Sequence, residues 1–258
     1  MVRPVCLILF AWQAHPRYEL VLAANRDEFH DRPAEPAGFW SDQPDILAGR
    51  DLEAGGTWLG VTRSGRFAAL TNYREAARSA AGERRSRGLL VSRWLSADDE
   101  PLAAARRLDD AGGEYRGFNL LLGRAGELAY LSNRAAGPQA VAAGVHGLSN
   151  HLLDTDWPKV HAGRERLAAL LTDAVVDTER LFGLLADDQA VGGGLPGGVA
   201  ARLAPENLAR QLFIRSSVYG TRCSTVLLIG RNGEVVLEER RFDTAGDPAG
   251  ADRFAFIA

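Results

Sequence analysis

The chain has 258 residues, of which 46% are hydrophobic and 24% charged, and its formal net charge is −3. This composition is ordinary for a globular domain and argues against nucleic acid or an anionic membrane as a partner. No stretch approaches the ~18 apolar residues of a membrane span, and residues 1–14 lack signal-peptide features, so we expect a cytoplasmic protein.

Strand patterns dominate both ends of the chain, and helical patterns dominate its middle. The predicted strands cover residues 5–12, 18–24, 57–62, 67–71, 118–123, 127–132, 145–149, 224–230, 234–242 and 254–257. The predicted helices cover residues 88–95, 101–108, 157–171 and 178–186. An exposed loop is predicted over residues 73–87, a Gly-rich connection over 187–204, and a type I′ turn at Asn232-Gly233.

The strands predict two covered sheets. Neighbouring strands read as antiparallel hairpins, and those at 5–12 and 224–230 are apolar on both faces, which is typical of a sheet buried on both sides. We therefore predict an α+β fold with two stacked, mainly antiparallel sheets between helical layers. No linker or repeat divides the chain, so residues 1–258 are predicted to form a single domain.

Metal and cofactor sites are not indicated. The two cysteines fit a reducing compartment without a disulfide framework, and the five histidines show no ligand-pair spacing. The Gly-rich residues 192–198 lack the Lys-Ser/Thr of a phosphate-binding loop. We expect no metal and no cofactor.

The tetrapeptide Asn25-Arg26-Asp27-Glu28 is the most informative motif. It follows directly on the apolar run 18–24, so four polar residues are predicted at a strand end, where many folds place their chemistry. The alternative is a solvated hairpin end with a local ion pair.

Cys6 is the candidate nucleophile. A hairpin around residues 15–17 would bring it beside Arg26 and Asp27. Arginine lowers the pKa of a thiol, and the thiolate is the nucleophilic form. The alternative is a buried structural cysteine. Because Arg222 and Cys223 should point to opposite faces of a strand, a Cys6–Cys223 disulfide is not expected.

Further polar residues lie at other predicted strand ends, namely Asn72, Asn150 and Arg222. If these ends converge, the asparagine amides could stabilise an oxyanion, and the arginine could hold a thiolate or a substrate carboxylate. Each residue alone is a weak signal, because asparagine at a strand end is usually a turn residue.

The motifs together resemble the NRDE family, named for Asn-Arg-Asp-Glu, which includes the transport and Golgi organisation protein 2 of animals. The resemblance rests on residues 6–8, 22–29, 49–58, 70–74, 148–150, 156–160 and 219–222, so it spans nearly the whole chain. The family is in turn similar to N-terminal-nucleophile hydrolases of the choloylglycine hydrolase and penicillin V acylase type. That similarity implies an αββα four-layer sandwich.

The resemblance also implies a catalytic set, with Cys6 as the nucleophile. The remaining counterparts in chain order are Arg26, Asp27, Asn72, Asn150 and Arg222. Cys6 would attack an amide carbonyl, its own freed α-amine would act as the base, and Asn72 and Asn150 would form the oxyanion hole. Glu28 is predicted to be structural, fixing its segment through a hydrogen bond or an ion pair.

Besides amide hydrolysis, two other functions stay open. Because Cys6 is preceded by five residues, the hydrolase hypothesis requires that residues 1–5 be removed. The roles assigned to the family, in secretory organisation, haem trafficking and lipid or acyl-CoA handling, imply instead a non-enzymatic carrier of a small hydrophobic anion. Asn25 and Arg74 are predicted ligand-binding residues, and Arg26 and Arg222 would also suit carboxylates or phosphates. The third hypothesis is a structural adaptor, which would have the Asn-Arg-Asp-Glu residues buried and mutually satisfied.

Overall fold

The computed structural model describes residues 6–75 and 85–258, which form two compact units that are each discontinuous in sequence. The first unit takes the chain up to residue 31 together with residues 143–149 and 154–256. The second unit takes residues 32–142, 150–153 and 257–258. Residues 1–5, whose removal the hydrolase hypothesis requires, lie outside the described residues, as does most of the loop predicted at 73–87.

Thirteen strands and six helices are formed by the described residues. The strands in chain order are β1 (Leu7–Trp12), β2 (Tyr18–Phe29), β3 (Ala34–Phe39), β4 (Ile46–Asp51), β5 (Leu59–Thr62), β6 (Phe67–Asn72), β7 (Phe118–Arg124), β8 (Glu127–Ser132), β9 (Gln139–Ala140), β10 (Gly144–Leu148), β11 (Tyr219–Gly230), β12 (Glu234–Phe242) and β13 (Pro248–Ile257). The helices are α1 (Gly88–Leu95), α2 (Pro101–Asp110), α3 (Pro158–Leu170), α4 (Thr178–Leu185), α5 (Val199–Arg202) and α6 (Pro205–Leu208).

The sheet of the first unit has the strand order β10-β1-β2-β11-β12-β13. Its central strands pair antiparallel, with Leu7 opposite Asn25 and Asn25 opposite Ser224. Alternate residues of β1, β2 and β11 pack with α3 and α4 in one apolar cluster. The intervening residues of β1, such as Ile8 and Phe10, are also fully buried, as expected of a strand that is apolar on both faces.

The sheet of the second unit has the order β3-β4-β5-β6-β7-β8-β9, and its pairs are antiparallel. Helices α1 and α2 pack on one of its faces around the buried Trp94 and Leu120. Arg66 closes the end of α1, because its guanidinium stacks on the Trp94 ring and donates to the Trp94 carbonyl oxygen at 3.3 Å.

The predicted α+β class with mainly antiparallel sheets is confirmed. Each unit contains one sheet with a helical layer on one face, which is the content expected of an αββα sandwich. The single domain over residues 1–258 stays a prediction. No helix among the described residues is both long enough and apolar enough to cross a membrane.

Several parts of the prediction need correction. Strands β3, β4 and β9 and helices α5 and α6 were not predicted, and α5 lies in the predicted Gly-rich connection. Strands β2 and β11 extend beyond their predicted ends because they pair with each other along the extra length. Strand β13 begins at Pro248, before its predicted start. The β11–β12 turn is not type I′. That turn needs positive φ at both central residues, whereas Gly233 has φ of 83° and Asn232 does not have a positive φ.

Candidate functional site

Cys6 directly precedes β1, and hydrogen bonds involve both its backbone carbonyl group and its thiol. The Ser149 hydroxyl donates to the Cys6 carbonyl oxygen at 2.8 Å. The Cys6 thiol points to the backbone carbonyl oxygen of Asp27, with the sulfur at 4.0 Å. Only 7% of the residue is exposed. The pairing of Leu7 with Asn25 in the β1–β2 hairpin therefore brings Cys6 to Arg26 and Asp27, as expected from the sequence.

The thiol of Cys6 is protonated at neutral pH. Burial raises its pKa to about 12, and the nearby Asp27 adds to this rise, whereas Arg26 acts in the opposite direction. A buried thiol of this kind is a weak nucleophile by itself and needs a base that accepts its proton.

Asp27 lies inside β2, not beyond its end. The strand continues through the whole Asn-Arg-Asp-Glu tetrapeptide to Phe29, so Arg26 and Asp27 point to opposite faces of the sheet. Arg26 pairs with Cys223, while Asp27 pairs with Thr221, whose hydroxyl donates to the Asp27 Oδ1 at 2.7 Å. Arg26 and Asp27 therefore do not present their side chains to Cys6 from the same face.

The Asp27 carboxyl group titrates near neutral pH. Burial raises its pKa to about 7. The Lys159 ammonium is the strongest influence in the opposite direction, followed by the hydrogen bond from Thr221 and the charge of Arg26, whereas Glu28 adds to the rise. An acid with such a pKa can exist in both protonation states under physiological conditions.

Arg222 occupies a β-bulge next to this site. The register of β11 against β2 shifts between Thr221 and Cys223, so Arg222 has no opposite residue. Its guanidinium donates to the carbonyl oxygens of Phe29 at 2.9 Å and His30 at 3.1 Å. Burial lowers the pKa of Arg222, and the positive charge of Arg26 lowers it further, so the two cations interact.

Asn72, Asn150 and Arg74 belong to the second unit. The Asn150 amide donates to the Asn72 carbonyl oxygen at 2.7 Å, and the Arg74 backbone N–H donates to the Asn150 carbonyl oxygen at 2.8 Å. These bonds join the end of β6 to the segment that follows β10. The predicted oxyanion role of Asn72 and Asn150, and the predicted ligand-binding role of Arg74, stay predictions.

The sequence profile of the family described as Transport and Golgi organisation 2 matches residues 5–244. The chain belongs to this family. The membership predicted from the NRDE motifs is therefore confirmed.

Relatives within the Transport and Golgi organisation 2 family match along almost the full chain. The Bos taurus homolog is 36% identical and the Mus musculus homolog 34% identical, each over 92% of both chains. The Drosophila melanogaster protein is 29% identical over 95% of both chains. Among solved structures, the Caenorhabditis elegans ortholog of N-acylethanolamine-hydrolyzing acid amidase matches 86% of this chain and 92% of its own, with 12% identity and a TM-score of 0.37. That score is too low to support an argument.

Asn25, the first residue of the motif in this member of the Transport and Golgi organisation 2 family, is fully enclosed by protein. Its amide donates to the carbonyl oxygens of Leu185 and Leu212, both at 2.9 Å, and its Oδ1 accepts the Ser224 hydroxyl at 2.6 Å. Leu185 is the last residue of α4, so Asn25 closes a helix end. This geometry favours a structural role over the predicted ligand-binding role, because both amide hydrogens already have acceptors.

The Glu28 side chain contacts neighbouring residues of its own strand, β2. Its carboxylate accepts the Phe29 N–H at 2.9 Å and lies 3.9 Å from the Arg26 guanidinium. These contacts are of the kind expected of a structural residue.

The two cysteines are unbonded, but the reason expected from the sequence needs correction. The bulge at Arg222 removes the simple alternation, and Cys6 and Cys223 both flank Arg26. Strand β2 separates them, and two strand spacings are about 9.5 Å, whereas a disulfide requires Cα atoms within about 7 Å.

Sequence reasoning missed Lys159 and Thr221, which are the two side chains that influence Asp27 most strongly. Both lie in segments on which the resemblance to the family rests, at residues 156–160 and 219–222. A lysine in the first turn of a helix normally reads as a solvated residue, so only its place in a shared motif could have identified it. No group of three or more His, Cys, Asp or Glu residues in the described part of the chain is arranged to hold a metal ion.

Proposed function

We propose that the protein hydrolyses the C–N bond of a small amide with Cys6 as the nucleophile, once the chain begins at that residue. The observation that carries the proposal is the position of Cys6, which precedes a central strand with its thiol against the backbone carbonyl oxygen of Asp27 and close to Arg26. The family resemblance supports the same residues for this chemistry.

The protonation state of the thiol defines the mechanism. Burial keeps the thiol in its protonated form, so its proton must leave as the S–C bond forms. A freed α-amine on Cys6 has an ordinary pKa of about 7.7–8.0 and can accept that proton. It then returns the proton to the leaving amine as the C–N bond breaks, and water hydrolyses the thioester.

The remaining residues have supporting roles in this proposal. Arg26 offsets the charge that develops on sulfur, and Asp27 anchors the Cys6 end of the strand pair. Arg222 serves as a cation for the substrate or the transition state, and the oxyanion role of Asn72 and Asn150 stays a prediction of the family resemblance. We place the protein in the cytoplasm.

The test compares the full chain with a chain released from a fusion so that it begins at Cys6. We expect turnover of simple N-acyl amides only in the shortened chain, with a rate that rises as the α-amine loses its proton between about pH 7 and 8. Mass spectrometry should also detect an acyl group on Cys6 after reaction with an activated ester.

Cys6→Ala and Cys223→Ala serve as matched variants, because both remove a buried thiol beside Arg26. Only Cys6→Ala should abolish turnover and formation of the thioester at residue 6. Equal loss in both variants, or no turnover by the shortened chain against a broad panel of amides, would contradict the proposal.

A second candidate function is the carriage of a small hydrophobic anion. It is favoured by the mutual repulsion of Arg26 and Arg222, which an anionic ligand would relieve. The relatives' name, which refers to transport, is consistent with it. Saturable binding of a fatty-acid anion by the full chain, weakened at least tenfold in Arg222→Gln and without turnover, would favour this function.

A further inference from the structure

Lys159 is the single lysine of the chain. The sequence contains 30 lysines and arginines, and every one except Lys159 is arginine. This one lysine is fully buried, with 0% of the residue exposed. Lysine is almost never fully buried unless its charge is compensated, so the residue requires an anionic neighbour.

Lys159 is held in place by its helix. It occupies the first turn of α3, after Pro158, and its backbone N–H donates to the Ala209 carbonyl oxygen at 3.1 Å. The next residue, Val160, packs with Leu7 and Leu9 in the apolar cluster between helix and sheet. Lys159 therefore lies on the helix-covered side of the sheet, close to the start of β1.

Asp27 lies on the same side. Asn25, two residues earlier in β2, points to the end of α4, and Asp27 must share that direction. Thr221 donates to Oδ1, whereas Oδ2 is buried and accepts no hydrogen bond from the described residues. A buried carboxylate oxygen without a donor requires a compensating charge.

We propose that Lys159 is a positioning residue, a buried counter-ion that favours the ionised form of Asp27 and holds this carboxylate in place on the helix-covered side of the sheet. A compact ammonium suits an enclosed site better than the wider guanidinium used at the other basic positions. The inference does not require Cys6 to be catalytic. The groups that act on Asp27 are Lys159 from α3, Thr221 from β11, and Arg26 and Glu28 from its own strand, with the Cys6 thiol against its backbone.

The single lysine gives a direct test on the intact wild-type protein. Incorporation of ¹³C,¹⁵N-lysine labels one side chain, that of Lys159, so its Nζ signal needs no further assignment. We expect this Nζ signal to shift in a step with its midpoint near pH 7, and the step to vanish in Asp27→Asn. A lysine signal without such a step, or one that keeps the step in Asp27→Asn, would overturn the proposal.

Variants of Lys159 provide a second test. In Lys159→Met the midpoint of the Asp27 titration, followed by the ¹³C signal of the Asp27 carboxyl group, should rise by about one pH unit or more. The reason is that the strongest influence that lowers the pKa of Asp27 is gone. Lys159→Arg should restore part of the shift. Arg164→Met removes another cation of α3, whose partner is Asp154 at 3.5 Å, and should leave the Asp27 midpoint unchanged.

An unchanged midpoint in folded Lys159→Met would overturn the proposal. If that variant does not fold, the wild-type titration still decides. Neither readout uses enzymatic activity, so a failed amide-hydrolysis test leaves both intact.

Discussion

Replacing Asp27 by asparagine is expected to remove a loss of stability that the wild-type protein suffers between about pH 4 and pH 7. The pKa of Asp27 is about 7 in the folded protein and about 3.9 in an unfolded chain. Between these values the folded state holds a proton that the unfolded state has lost, so stability falls as the pH rises. It levels off above pH 7, where both states are ionised.

The expected size follows from the difference in pKa. The free energy of unfolding of Asp27→Asn minus that of the wild type should increase by on the order of 3 kcal/mol from pH 4.5 to pH 8. Urea unfolding of both proteins at the two pH values measures it. Any cost of the substitution that does not depend on pH cancels in this comparison.

Asp154→Asn is the matched control, with the opposite sign. Burial acts to raise the pKa of the Asp154 carboxyl, but hydrogen bonds from His146 and the Gly147 N–H lower it overall. The stability that ionised Asp154 contributes is therefore present above the pKa of this residue in the unfolded chain, and it is lost in acid. Asparagine also tolerates the positive φ of 58° at this position. Parallel behaviour of the two variants would refute the assignment of the neutral-pH slope to Asp27.

The second large effect is expected from Asn25→Asp. The substitution keeps the shape of the side chain but replaces the amide that serves the Leu185 and Leu212 carbonyl oxygens with a carboxylate oxygen. Two buried acceptors lose their donor, and a charge is enclosed beside them. Each unsatisfied carbonyl costs about 1–3 kcal/mol, so we expect a loss of about 4 kcal/mol or more at pH 7.

Chemical denaturation at pH 7 measures this loss, and Glu28→Gln is its control. That substitution exchanges an acid for an amide in the same motif, at a residue with a partly accessible side chain that lies 3.9 Å from the Arg26 guanidinium. It should change stability by less than about 1 kcal/mol. A small loss in Asn25→Asp would mean that Asn25 does not close the end of α4, and ligand binding would again explain its place in the motif.

Sequence patterns identified the elements that have strong local signals. Helices α1 and α2 begin at the predicted residues Gly88 and Pro101, and β8 and β12 have the predicted bounds. Strands β3 and β4 were missed because residues that disfavour strands interrupt them. Pro36 and Gly38 lie in β3 around a register shift, and Gly49 lies in β4. Their pairing depends on neighbouring strands and not on their own composition.

The candidate site was predicted in part. The hairpin between β1 and β2 placed Cys6 near Arg26 and Asp27 as expected, because that contact depends only on a short turn. The continuation of β2 through the tetrapeptide depends on β11, almost 200 residues later, so the opposite directions of Arg26 and Asp27 could not be foreseen. Burial of Lys159 likewise depends on the packing of α3 onto the sheet, which no local pattern encodes.

The enclosure of Lys159 has a practical consequence for following the opening of the first unit. A lysine-specific endoprotease has one cleavage site in this chain, the bond between Lys159 and Val160, and in the folded protein that bond lies in a helix packed on the sheet. Cleavage into fragments 1–159 and 160–258 must wait until α3 separates from the sheet. When reclosing is faster than cleavage, the digestion rate reports the equilibrium population of that opened state. The protein thus carries its own single-site probe of local unfolding, and the probe lies beside the residues of the candidate site.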